Sequence, residues 1–128
     1  MILLDTHTWI WWSSAPAKLS KAARETLEQA DELGVSAISC WELSMLVEKG
    51  RLQLDRDTLS WVREALSDES VILVPISPSI GVAAGSLGPD FHGDPADRLI
   101  VATALETGSL LVTKDGNIRS FPGVTTLW

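Results

Sequence analysis

Cysteine is almost absent. Cys40 stands alone among 128 residues, so no disulfide can close within the chain, and a thiol-reducing cytoplasm is the expected setting. Histidine is scarce as well. His7 and His92 are the only two, and with one cysteine they exclude a zinc cluster of the common cysteine/histidine kind. No run approaches the roughly 18 consecutive apolar residues of a membrane span. The apolar start, MILLDTHTWIWW, carries Asp5 and His7 and no basic leader, so it is not expected to be a secretory signal. Low-complexity tracts, long blocks of like charge and internal repeats are missing too. Basic residues are outnumbered, 10 Lys and Arg against 17 Asp and Glu, for a formal charge of -7. That argues against capture of nucleic acid by broad electrostatics. It leaves room for an enzyme that reaches nucleic acid through a metal, because a metal site gathers carboxylates.

What is present suits one domain over residues 1–128 with a sizeable core, since 45% of the residues are hydrophobic. Short apolar runs at 2–4, 35–38, 71–76, 109–113 and 124–127 read as strands of a sheet covered on both faces. Helical patterns lie between them. Residues 19–34 carry Ala23, Leu27 and Ala30 on one face and stop at Gly34. Residues 39–50 carry Leu43, Leu46 and Val47 and stop at Gly50. Further patterns occupy 56–68, 77–88 with Pro78 in the first turn, and 94–108 between Pro95 and Gly108. THTWIWW reads as a short helix after the first strand. Strands alternating with helices predict a three-layer α/β/α sandwich around a parallel sheet of about five strands.

In open α/β sheets, ligands bind beyond the carboxyl ends of the strands. Acids collect there. Asp5 follows the first strand. Ser39 follows the second, with Glu42 in the first turn of its helix. Asp115 follows the fourth, and Asp94 and Asp97 open the helix that leads into it. Each has a plain explanation: a Ser39–Glu42 capping box, an N-cap at Asp94, a dipole partner at Asp97, an Asp115-Gly116 turn, a cap at Asp5. Capping does not require that all of them fall on one rim, or that each be an acid. Crowded carboxylates repel and raise one another's pKa, and a divalent cation removes that cost. Oxygen ligands without thiolate or imidazole point to Mg²⁺ or Mn²⁺, and the chemistry expected of such a site is hydrolysis of a phosphate ester.

The segments MILLDTHTWIWW, SAISCWELSMLVEKGRLQL, FHGDPADRLIVATALETGSLLVTKD and the closing VTTLW, in this order, resemble the PIN-domain ribonucleases. The resemblance covers essentially the whole chain and looks nearest to the VapC-like toxins of bacterial toxin–antitoxin modules. It implies a parallel α/β/α sandwich and an acidic site that uses Mg²⁺ or Mn²⁺ to cut single-stranded RNA. The family's four acids fall on Asp5, followed by the usual Thr6, then on Glu42, Asp97 and Asp115. A cognate antitoxin and a homodimer are implied as well. One departure is Ala96, where many relatives carry an aromatic residue, a difference that bears on substrate shape.

Other residues carry two readings each. His7 and His92 could shuttle protons, but local packing at the rim is favoured. Thr6, Arg98 and Lys114 are candidates for substrate contact; for Arg98 and Lys114, phosphate binding weighs equally against solvated charge or ion pairing. Trp9 and Trp12 share a helix face and Trp11 points elsewhere, so base stacking or partner binding competes with core packing. Trp41 and Trp61 read as core or interface, and Cys40 as a small buried residue. Two alternatives stand beside the nuclease: another Mg-dependent phosphoesterase, and a catalytically silent binding module on the same fold.

Overall fold

The computed structural model describes residues 1–128. Five strands form one parallel sheet: β1 (Ile2–Leu4), β2 (Leu33–Ser36), β3 (Val71–Val74), β4 (Leu110–Val112) and β5 (Thr126–Leu127), in the order β3-β2-β1-β4-β5. Seven helices cover it: α1 (Thr6–Ser14), α2 (Lys21–Gln29), α3 (Ala37–Glu48), α4 (Thr58–Ala65), α5 (Pro78–Gly85), α6 (Pro95–Thr107) and α7 (Gly116–Arg119). This is the α/β sandwich expected from the alternation of elements.

Period-two alternation builds two cores on either side of the sheet. Leu4 and Val112 point to one, with Trp9, Leu27, Val35, Leu43 and Trp61. Leu3 and Leu111 point to the other, with Ile80, Phe91, Ile100, Val101 and Ile118. The chain lays down β1, β2 and β3 in one direction and then crosses to place β4 on the far side of β1. The strand order therefore reverses between β1 and β4, and a crevice is expected there, beyond their carboxyl ends.

Three expectations need correction. The second strand is Leu33–Ser36, not 35–38, so Gly34 lies inside it and does not end the preceding helix, which stops at Gln29. A Cβ at Gly34 would stand 2.8 Å from the Met1 sulfur, so a larger residue there would displace the flexible end of the Met1 side chain. Ser36, not Ser39, caps the next helix, accepting from the Ile38 N–H at 3.2 Å. Finally, β3 is an edge strand, and Ile72 and Leu73 remain exposed; coverage on both faces does not extend to it. Helix α6 follows the expected rules. Asp94 is its N-cap, Pro95 its first residue, and Gly108 closes it in the left-handed conformation at φ 63°.

Candidate active site

The crevice is built first from backbone. The Asp5 N–H donates to the Val112 carbonyl at 3.1 Å, which fixes the exit of β1 against β4. Asp5 then caps α1. One carboxylate oxygen accepts from the Thr6 N–H at 2.8 Å and the other from the Thr113 hydroxyl at 2.7 Å. The Thr113 hydroxyl oxygen in turn accepts from the Asp115 N–H at 3.1 Å. Asp115 caps α7 through the Ile118 N–H at 3.0 Å, a short helix where the sequence suggested only a turn. Thr113, fully buried, thus ties two acids to one strand end. Sequence reasoning missed it; its only signal was a hydroxyl at the last position of a buried strand.

Glu42 comes from α3. It lies in the second turn, because the helix starts at Ala37, and the expected capping box with Ser39 does not form. Ser39 is buried inside the helix, and its hydroxyl lies 2.8 Å from the Thr6 hydroxyl. Glu42 is therefore not spent on a cap. Thr6 is buried as well. Its side chain joins α1 to α3 below the cleft, a position that does not suit substrate contact.

Asp94 and Asp97 are delivered by the start of α6. Asp94 accepts from the Asp97 N–H at 3.2 Å and remains exposed. Asp97 is mostly covered, with 15% of its side chain exposed. Burial, followed by the charges of Asp5, Asp94, Asp115 and Glu42, pushes its carboxyl up to about 8. Asp5 and Glu42 are also raised, chiefly by burial.

These acids share one cleft of about 350 Å³, lined by Asp5, Glu42, Asp94, Asp97 and Asp115 together with His7, Trp11 and Lys114. Oxygens of Glu42, Asp94 and Asp97 lie within 4.8 Å of one another, and so do ligand atoms of His92, Asp97 and Asp115. Asp97 belongs to both sets. Asp5 belongs to neither, and both its oxygens already accept hydrogen bonds. Ligand atoms at about 2.1 Å from an octahedral cation stand roughly 3–4 Å apart, so this donor set fits a hard divalent ion with small adjustments. Asp94, read from sequence as a cap alone, is a cap and a member of the acidic cluster at once.

The remaining candidates divide. Arg98 is not available to substrate. Its guanidinium donates to the carbonyls of His92, Ala84, Gly88 and Phe91 at 3.0–3.3 Å, which occupies most of its donors. It holds the loop that carries His92 and Asp94. His92 stacks on Phe91 at 4.5 Å and accepts the Asp94 N–H at Nδ1. Its Nε2 lies 3.2 Å from Asp97 Oδ2, but the pair is not aligned as a hydrogen bond. Ala96 is buried, so the small side chain there alters packing beneath the cleft and not the substrate surface. Among the tryptophans, Trp9 and Trp61 are core and meet edge to face at 5.6 Å. Trp41 is 54% exposed and is not core. Trp11 and Lys114 face the cleft.

The sequence model of the PIN domain matches residues 2–124. The chain is a PIN-domain protein. It is 49% identical over 129 aligned positions to Ribonuclease VapC22 of Mycobacterium tuberculosis, an alignment covering 99% of this chain and 98% of that one. Among solved structures, the PIN-domain chain resembles VapBC2 of Rickettsia felis bound to a promoter DNA fragment, with TM-score 0.73, 19% identity and coverage of 99% and 98%. It also resembles a toxin–antitoxin complex of Klebsiella pneumoniae, with TM-score 0.68, 22% identity and coverage of 98% and 97%. At those identities the structures speak for the fold. No helix of the chain is long and apolar enough to cross a membrane.

Proposed function

We propose that this PIN-domain chain, acting as one domain over residues 1–128, is a metal-dependent endoribonuclease and the toxin of a toxin–antitoxin pair. The observation that carries the reading is the convergence of Asp5, Glu42, Asp97 and Asp115 in one cleft at the β1–β4 switch point, with Asp97 pushed to about 8 by burial and then by the neighbouring carboxylates. Carboxylates crowded into one cleft are relieved by a positive partner. The 49% identity to a protein named a ribonuclease supports RNA as the substrate, and the Klebsiella pneumoniae neighbour is a toxin–antitoxin complex.

Asp5 and Asp97 would hold Mg²⁺ or Mn²⁺, with Glu42 and Asp115 joining directly or through water and Asp94 beside them; each Asp5 oxygen keeps a lone pair for the ion besides the hydrogen bond it accepts. An ion held there would supply Lewis acidity for hydrolysis of a phosphodiester. The residues themselves supply position. Thr113 and the Thr6 N–H hold Asp5 still, and the Asp94 cap sets the first turn of α6 and with it Asp97. Lys114, exposed at the rim, is placed to attract the phosphate backbone.

A cognate antitoxin, a cytoplasmic site of action and a homodimer complete the reading. For the dimer, Trp41 on α3 and Leu59 on α4 keep 54% and 56% of their surface exposed. Light scattering at micromolar concentration should give twice the chain mass. The decisive experiment is cleavage of single-stranded RNA that EDTA abolishes and Mg²⁺ or Mn²⁺ restores. Cleavage undiminished in EDTA, by a preparation free of other nucleases, would refute the metal; a chain that binds metal but cuts no RNA would refute the nuclease.

A further inference from the structure

The cleft has two unlike ends, and the ribonuclease reading accounts for only one. Five carboxylates line it: Asp5, Glu42, Asp94, Asp97 and Asp115. Against these stands Lys114, with Trp11 and His7 beside it. A phosphodiester approaching the acids is repelled along most of the wall, so the neutral aromatic surface is where a nucleotide can gain contact.

Trp11 is only partly buried: one edge packs against the core cluster of Leu4 and Trp9, and the ring also lines the cleft. Helix α1 turns about 100° per residue, so Trp11 stands about 200° from Trp9, which is the buried core residue of the group. It lies four residues after His7, on the same side of the helix, and both line the cleft. The His7 ring lies 5.7 Å away at 55° and the Trp128 ring 5.8 Å away at 58°, so both neighbours meet Trp11 at a tilt. The Lys114 ammonium sits 5.9 Å from its ring centroid, at the outer limit of a cation–π contact. The indole is thus braced on two sides, half-buried, and adjoins both a cation and the acidic centre.

Resting on the ribonuclease reading, we propose that Trp11 is a stacking platform for a nucleobase of single-stranded RNA flanking the scissile phosphate, with Lys114 contacting the phosphate that leads to it. Base–aromatic stacking tolerates any base and gains from a neighbouring cation. The platform therefore sets where the backbone lies over the acids, and does not select one base by hydrogen bonding.

The test is a cycle between protein and RNA. A fluorescent single-stranded oligoribonucleotide containing all four bases is cut with Mn²⁺, the cut position is read, and abasic riboses are placed singly on either side of it. Trp11→Leu should lower kcat/KM by about 5- to 150-fold, and Trp11→Phe should restore most of it. One abasic position should cost the wild-type chain a similar factor and cost Trp11→Leu almost nothing more. Equal abasic losses in both proteins at every position would overturn the platform, as would wild-type cutting by Trp11→Leu. Melting temperature and Mn²⁺ calorimetry accompany each variant; if Trp11→Leu does not fold, Trp11→Gln, which also lacks a ring, takes its place under the same criterion. Should the wild-type chain bind the RNA without cutting it, the nuclease reading fails separately. The platform is then judged by quenching of 2-aminopurine at the same positions, expected with wild type and lost with Trp11→Leu. Absence of any RNA binding in the presence of Mn²⁺ overturns both.

Discussion

The strand wall of the cleft and its helix wall hold their acids in opposite ways. Asp5, at the end of β1, is the more deeply buried of the two central aspartates, yet it accepts hydrogen bonds at both oxygens, from the Thr6 N–H and the Thr113 hydroxyl. These bonds oppose the rise in pKa that burial causes. Asp97, on α6, has no such donors opposing burial, and four neighbouring carboxylates add to it. The strand wall is pre-organised by the fold. The helix wall carries unrelieved repulsion and waits for a cation.

Asp97→Asn tests the contrast most severely. It removes one metal-ligating charge, so RNA cleavage should fall by about 100-fold or more, read as initial rates with Mg²⁺ or Mn²⁺. Folding should not suffer. Near pH 7 the metal-free Asp97 is mostly protonated, so asparagine replaces a group that is already neutral. The pH dependence has a definite sign. Well below pH 3.8 the carboxyl is protonated in folded and unfolded chains alike. Between its ordinary 3.8 and about 8 the unfolded chain ionises it while the folded chain keeps the proton. Stability must then fall as pH rises through that window. Metal-free wild type should melt several degrees lower at pH 8 than at pH 5, and Asp97→Asn should flatten that slope. Mg²⁺ at a hundred times its Kd should restore about 2.7 kcal/mol, with more effect at pH 8. A melting temperature that rises steadily from pH 5 to pH 8 would contradict the helix-wall account.

Thr113→Val tests the strand wall. It keeps shape but deprives Asp5 of a donor and the Asp115 N–H of its acceptor. A loss of about 1–3 kcal/mol is expected for the unpaired buried groups. Losing the hydroxyl that holds Asp5 and the Asp115 backbone in place should also cost about 10- to 100-fold in activity or metal affinity. Calorimetric Mn²⁺ titration and denaturant melts check both. Wild-type metal affinity in this variant would show that Thr113 only packs.

The order of the acids was legible because strand exits announce themselves: ILL before Asp5 and LLVT before Lys114 and Asp115 end abruptly in charge. PADR after Asp94 was legible because proline takes the first helical position. Glu42 was read one turn too early in its helix. SAISC offers two serines as caps, and only the burial of Ser39 against Thr6 decides for Ser36. Arg98 could not be read, since its partners are backbone carbonyls spread from Ala84 to His92, which leave no mark in the identity of those residues. The place of Gly34 was equally hidden, because it is fixed by pairing with β1 and β3 and not by any turn of its own.

Arg98→Lys should have a smaller effect, and it falls on the helix wall. Lysine keeps the charge but cannot span four carbonyls. The loop that brings His92 and Asp94 to the cleft should loosen, with a lower melting temperature by a few degrees and cleavage reduced by roughly 3- to 10-fold through altered positioning. Faster hydrogen exchange confined to residues 86–94 would identify the cause. Unchanged exchange there, with activity lost, would mean that Arg98 meets substrate after all.

The smallest effect is expected from Asp94→Asn, and it asks how far the helix wall depends on each of its acids. Asp94 does two things: it accepts the Asp97 N–H, and it brings its charge near Glu42 and Asp97. Asparagine caps a helix about as well as aspartate, so the first turn of α6 and the placement of Asp97 are kept. The lost charge is exposed, where water already screens it, and it is one of the charges that hold Asp97 high. Removing it should lower the Asp97 pKa, raise the metal-free melting temperature slightly at pH 8, and reduce cleavage no more than a few-fold. The paired measurement is cleavage rate and metal-free melting at pH 8, set beside Asp97→Asn. If Asp94→Asn loses as much activity as Asp97→Asn while melting normally, Asp94 is a primary metal ligand, and the helix wall presents two essential aspartates instead of one. If it melts several degrees lower, the cap needed a full charge to offset the amides at the helix start, and Asp94 belongs to the fold more than to the site.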